Sequence, residues 1–252
     1  MASSSSNSDD SHSGRFDNAA AKERYYTTVA AKQMWPEQGF FYDDLLENYD
    51  LEKIIHKRLA DLEWFKFGRQ LPRANINWVR EFYAHNPVGE NTMVYVRNHR
   101  VPATAEAINN SLDLPNDLPS IHSLISALEE QDYDVIKDYL SQQNTEWNHG
   151  RNPGTVPRMN LLPEAKLWNT FVKRNIMPTS HNQTVDKTRL VLINAIITGT
   201  KFNVGQIIVE KLSEACNTNQ AIIAIPCLIT ALCRTANVPT RPTDKYTSFR
   251  IG

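Results

Sequence analysis

Cys227 and His181 are the thiol and imidazole of this chain that come nearest to a nucleophile with a base. A cysteine nucleophile needs a neighbouring base to take its proton, and an acid to orient that base. Cys227 follows Pro226 at an expected helix start, and a helix N-terminus lowers a thiol pKa. Yet Ile225-Pro226-Cys227-Leu228-Ile229 is the setting of a small buried hydrophobe, and that reading outweighs the catalytic one. No Gly-x-Ser-x-Gly elbow offers a serine in its place. Structural zinc takes four Cys or His ligands, usually in close pairs. Cys227 and Cys233 stand six residues apart, about 240° around one helix, and do not converge. The seven histidines, at 12, 56, 85, 99, 122, 149 and 181, are scattered, and no His-Glu-x-x-His occurs. A two-metal nuclease centre needs several acids on a sheet, whereas Asp43-Asp44 and Glu129-Glu130 read as solvated helix ends. No catalytic residue, metal or cofactor is assigned on these grounds, and the chain is read as non-enzymatic.

Gly199-Thr200-Lys201 lacks the glycine-rich lead-in of a phosphate loop. It reads as a helix stop, with Gly199 just past the end and Asn203 capping the next helix. Gly205 then sits one turn inside that helix, where glycine costs about 1 kcal/mol relative to alanine. Close approach of another helix is the expected reason.

Charge layout is the most informative remaining feature. Residues 1–150 hold 14 Lys and Arg against 23 Asp and Glu, a balance of −9; residues 151–252 hold 13 against 5, a balance of +8. The net −1 argues against a protein dominated by nucleic-acid charge, but a local basic face remains open. Lys173, Arg174, Lys187, Arg189 and Lys201 are the candidates for such a face. The alternative is a solvated surface whose two halves pair with each other.

The elements that position these residues are mostly helical. Asp17 is expected to cap a helix over Ala19–Ala31, and Leu45 to Leu59 keeps helical spacing. A helix over Ala74–His85 follows Pro72, then a small β-hairpin near 93–101. Short helices fit from Thr104 through Leu112, Ser120–Glu130 and Asp134–Ser141. Residues 144–159 are rich in Gly and Pro, either a domain linker or a long surface loop. Helices over Pro163–Asn175, Thr184–Thr198, Val204–Cys216 and Pro226–Ala236 complete the chain, with a short strand at Ala221–Ile225 as an option. The second of these is apolar nearly all round and should be the central one. Phe40, Phe41, Trp64, Phe65 and Trp147 lie near breaks, as core plugs or as partner-facing aromatics.

The 252 residues suffice for one large domain. Residues 1–16 read as a disordered Ser/Asp-rich tail, 17–240 as a single helical domain with a soft boundary at 144–159, and 241–252 as a C-terminal tail. Three cysteines in apolar surroundings suggest reduced thiols. No apolar run reaches the ~20 residues of a membrane helix, and the N-terminus lacks the order of a signal peptide. A cytoplasmic or nuclear protein without a membrane role is expected.

Six phrases in order carry a resemblance: Trp78 to Ala84, Ala107 to Pro115, Leu161 to Trp168, Met177 to His181, Phe202 to Ile208 and Pro226 to Cys233. Over roughly Tyr25 to Pro239 the chain resembles the plant transposon protein domain, a family associated with mobile elements. Asn98-His99 departs from the family's usual glycine or lysine-rich step in the hairpin. The resemblance implies descent from a retrotransposon-associated element and supplies no catalytic residues to carry over. The fold expected is mainly α, an irregular multi-helix domain with that one hairpin. The function expected is a protein-binding or scaffold module. Two alternatives stay open: nucleic-acid binding through the basic 151–252 half, and an enzyme using Cys227 and His181.

Overall fold

The structure is a computed structural model, in which residues 15–37, 49–69, 71–86, 91–150, 152–179, 183–217 and 222–247 are described. The side chain of Asn18, not Asp17, accepts from the Ala21 N–H and caps α1 (Ala19–Arg24). The helix expected to run to Ala31 widens into a π turn over Tyr25–Val29. Two aromatic and three β-branched residues follow one another there and crowd an α turn. Strand β1 (Gln33–Met34) comes next.

Helix α2 (Tyr49–Asp61) leads to α3 (Ile76–Ala84), whose cap Asn75 accepts from the N–H groups of Asn77 and Trp78. The hairpin is longer than the sequence suggested, β2 (Asn91–Val96) against β3 (His99–Thr104). Its two-residue turn places Arg97 and Asn98 at φ 48° and 65°. Both signs suit a hairpin turn of the primed type, which matches the twist of its strands. Thr104 caps α4 (Ala105–Leu112), and Ser120 caps α5 (Ile121–Ser126). Helix α6 (Glu130–Leu140) starts four residues earlier than expected, because Glu129 and Asp132 form a reciprocal capping box.

The Gly/Pro-rich stretch contains β4 (Thr155–Pro157), followed by a 3-10 turn over Arg158–Asn160. It closes on itself: Ser141 bridges Leu161, and the Leu162 N–H donates to Leu140. Helix α7 (Pro163–Asn175) follows. Residues 184–186, expected to be helical, form β5 (Thr184–Asp186), antiparallel to β4. Thr184 and Val185 are β-branched, and Asp186 then caps α8 (Lys187–Thr198) through the Arg189 N–H at 2.9 Å. Gly199 ends α8 at φ 76° as expected. Helix α9 (Val204–Asn217), β6 (Ile222–Ile223) and α10 (Pro226–Thr235) complete the order, with β6 parallel to β1.

Helix α8 is buried on nearly every side, Leu190 to Ile193 and Ala195 to Ile197 all being core. It packs on α7 and α6, while α9 crosses α4, and α10 lies on α3 and α4. An aromatic cluster joins these layers. The Trp64 ring lies 5.2 Å from Phe67, 6.2 Å from Phe171 and 5.7 Å from Phe202. Truncating one such ring costs about 3–5 kcal/mol. Residues 241–247, from the segment read as a tail, lie along the start of α3: Ile76 donates to Lys245, and Thr247 to Ala74. Among the described residues, no helix is long and apolar enough to cross a membrane.

Candidate functional site

The five basic candidates divide into two groups. Lys187 is bonded to Glu130 and stands 4.7 Å over the Tyr133 ring; Lys201 reaches Glu63 at 2.6 Å. Both unite the basic and acidic halves of the chain. Lys173, Arg174 and Arg189 come together where α7 meets α8, and Arg158, which the sequence reading passed over, joins them. Burial, with the positive charges of Arg158, Arg189 and Arg174 close by, holds the Lys173 ammonium below its ordinary pKa. Arg189 is 5% exposed, bonded to Asp186 at 3.1 Å. Arg158 follows β4 and was hidden inside a stretch whose composition reads only as loop.

Cys227 is buried at the start of α10, and its thiol is pushed up by burial and by the neighbouring Glu37 carboxylate. That is the opposite of an activated thiolate. Burial also pushes Cys216 up to about 12 and raises Cys233. His181 lies outside the described residues, as do Phe40 and Phe41. Glu37 itself accepts from the N–H groups of Cys227 and Leu228, so a carboxylate distant in sequence caps α10. Burial drives the Glu37 pKa up to about 7 against those bonds.

A second polar centre was not foreseen. Arg97 is 4% exposed, and all five of its N–H groups find acceptors. Its Nε and Nη2 reach Glu81, its Nη1 and Nη2 reach Asp244, and its Nη1 also reaches the Pro239 carbonyl. Arg15 meets the Glu81 Oε1 at 2.9 Å, and Asn75 donates to Asp244. Burial pulls the Asp244 pKa upward, but the bonds from Arg97, the Arg241 N–H and Asn75 outweigh it and leave the carboxyl below its usual range. Arg15, residues 75–81, Arg97 and residues 239–244 thereby join one network.

Gly205 serves the close approach expected of it. An added Cβ would stand 2.3 Å from the Ala105 carbonyl oxygen and 2.6 Å from Asn109 Oδ1, the atom that accepts from its N–H. Asn203 caps α9 through the Gln206 N–H and also accepts from Asn109.

The outer face of α6 is different in kind. Val135 and Tyr139 lie one turn apart and are 67% and 55% exposed. Leu162 and Met159, 41% and 76% exposed, flank the end of that helix, where Leu162 is bonded to Leu140. Asp134 and Asp138 stand on the same helix with exposed side chains. The sequence signal for this face was a second apolar row, Val135 and Tyr139, beside the buried row of Ile136 and Leu140. Of the aromatics near breaks, Trp64 is a core plug, Phe65 is exposed, and Trp147 donates to Asp134 at 2.6 Å.

No curated protein and no solved structure matches the chain. A family model described as "Putative plant retrotransposon-related domain" matches residues 60–239, well over half of the 252. The match ends where the resemblance read from the sequence ends, and it spans the last turn of α2 through α10. On that coverage, this chain belongs to the plant retrotransposon-related domain family.

Proposed function

We propose that the chain acts as a non-catalytic protein-binding module of a mobile-element-derived plant protein, working in the cytoplasm or nucleus. The observation that carries this is the outer face of α6, where Val135 and Tyr139 are exposed one turn apart, with Met159 and Leu162 exposed on the segment bonded to its end. Single exposed hydrophobics are ordinary, but a contiguous group rimmed by charge marks an interaction surface. Asp134 and Asp138 stand beside Val135 and Tyr139 on α6, with Lys137 between them, and residues 102–150 hold nine acids and one lysine. The partner that fits is therefore a basic amphipathic segment, its apolar row on Val135 and Tyr139 and its lysines or arginines toward Asp134 and Asp138.

The test is a fluorescence titration of the full chain with a Lys/Leu amphipathic helical peptide and its Glu/Leu counterpart. The Lys peptide should bind, and Tyr139→Ser should weaken it by about tenfold, the cost of one well-packed aromatic anchor. Ile54→Ser, at an exposed position of α2, should leave it unchanged. Equal binding of both peptides, or indifference to Tyr139→Ser, overturns the reading.

A further inference from the structure

At the junction of α7, α8 and β1, buried hydrogen-bond donors stand without acceptors among the described residues. Thr170, Lys173 and Arg174 lie three and four residues apart on α7, so their side chains are neighbours. Thr170 Oγ1 accepts from Arg158 Nη2 at 3.3 Å, which brings that guanidinium to the same face. Arg189 arrives from the first turn of α8, which packs on α7. Its Nη2 is bonded to Asp186, but its Nε is buried with no acceptor. Trp35, just past β1, has its ring 5.4 Å from Lys173 Nζ, and its indole N–H is likewise buried with no acceptor. Among the described residues, Arg189 alone of Arg158, Lys173 and Arg189 is bonded to a carboxylate, that of Asp186.

This is an unusual arrangement for a folded core. A buried N–H left without an acceptor costs about 1–3 kcal/mol, more on a charged group. Arg158, Lys173 and Arg189, with one bonded carboxylate among them, repel one another. Two buried donors without an acceptor, beside Arg158 and Lys173, point to a ligand that brings acceptors and negative charge. The missing partner must be anionic, rich in acceptors and small enough to touch several donors at once. A tetrahedral oxyanion meets all three conditions.

We propose that this junction binds a phosphate-type oxyanion, held by the Lys173 ammonium, the Arg158 guanidinium, the Arg189 Nε–H and the Trp35 indole N–H. The depressed basicity of Lys173, which burial and the surrounding guanidinium groups cause, is what an incoming anion would relieve. The site goes beyond the α6 surface and does not depend on it. The phosphate can come from a small phosphate ester or from a nucleic-acid backbone, and the chemistry at the four donors is the same.

The experiment uses the full chain and inorganic phosphate, with sodium chloride at matched ionic strength as control. Phosphate should raise the Tm in a concentration-dependent way, and chloride should not. The Trp35 indole N–H resonance, assigned from its loss in Trp35→Phe, should move as phosphate is added. Lys173→Met should weaken phosphate binding about tenfold, the loss of one charged hydrogen bond. Arg158→Gln, at an exposed residue, provides a second variant with little risk to folding, and should weaken it likewise. A Tm and a Trp35 resonance indifferent to phosphate, or an unchanged affinity in both variants, overturns the site. Oligonucleotides then assign the source. Affinity that rises with length and falls steeply with salt identifies backbone phosphate, and affinity independent of length identifies a small ester.

Discussion

Around Arg97 and around Lys173 the protein gathers similar side chains to opposite effect. Arg97 is buried, yet Glu81, Asp244 and the Pro239 carbonyl accept from every N–H it has. At the α7–α8 junction, Arg189 is almost as buried, but one of its donors and the Trp35 indole have no acceptor. The first arrangement is closed. It also stabilises a hairpin turn in which Arg97 itself takes φ 48°, a strained conformation for a long side chain. The second is open, with cations in excess. A closed network serves the fold, since removing any member leaves its partners stranded. An open one has binding capacity to spare. The difference separates architecture from a candidate ligand site without reference to any motif.

The sharpest way to break this contrast is Arg97→Met. It leaves buried Glu81 with Arg15 alone and Asp244 with only the Asn75 amide and the Arg241 N–H, no cation, and should lower stability by about 3–5 kcal/mol. The midpoint of urea unfolding reads it directly. Gly205→Ala calibrates that figure against a contact with no charge. Its methyl meets backbone at 2.3 Å, so a loss of about 1–3 kcal/mol is expected, with α4 and α9 forced apart. If Gly205→Ala costs more than Arg97→Met, close packing rather than the ion network dominates.

Glu37 gives a pH-dependent test. Its folded pKa, about 7, lies above its ordinary 4.5, so the folded state holds the proton more tightly than the unfolded one. Its contribution is therefore fully present below about pH 4.5 and is lost as pH rises through 7. Glu37→Gln should be flatter over that window, and more stable than the parent at pH 8 by an amount on the order of 1–3 kcal/mol. Thermal unfolding from pH 5 to 8 shows it. A parent profile as flat as the variant's removes the buried-carboxylate cap. The smallest effect is expected at the open junction. Lys173→Met removes one of several mutually repelling cations, and should change stability by about 0.5 kcal/mol or less, or raise it. A loss as large as that of Arg97→Met would show that the junction is structural and collapse the comparison.

Helical periodicity made most of the fold legible. The apolar circumference of α8 announced a central helix, Gly199 and Asn203 announced its end and the next start, and Gly205 announced a close crossing. What stayed hidden depends on distance in the chain. Nothing local to Glu81 tells that its partners are Arg97 and Arg15, and nothing local to Glu37 tells that it caps a helix starting at Pro226. The basic candidates show the same limit. Charge counting selected Lys173 and Arg189 together with Lys187 and Lys201, because composition cannot see that the latter two face Glu130 and Glu63. Helix starts were misjudged where capping overrode periodicity, as at Glu129 and Asp186.

The parallel pairing of β1 with β6 has a consequence for which part of this chain completes the fold. The family match begins at residue 60. Yet Gln33 and Met34 pair with Ile222 and Ile223, Glu37 caps α10, and Arg15 bonds Glu81. At the other end, Asp244 lies past the match and holds Arg97. A fragment limited to the matched span would have an exposed strand edge, an uncapped helix and a half-neutralised buried arginine. The contacts that complete this fold therefore reach beyond the matched span on both sides.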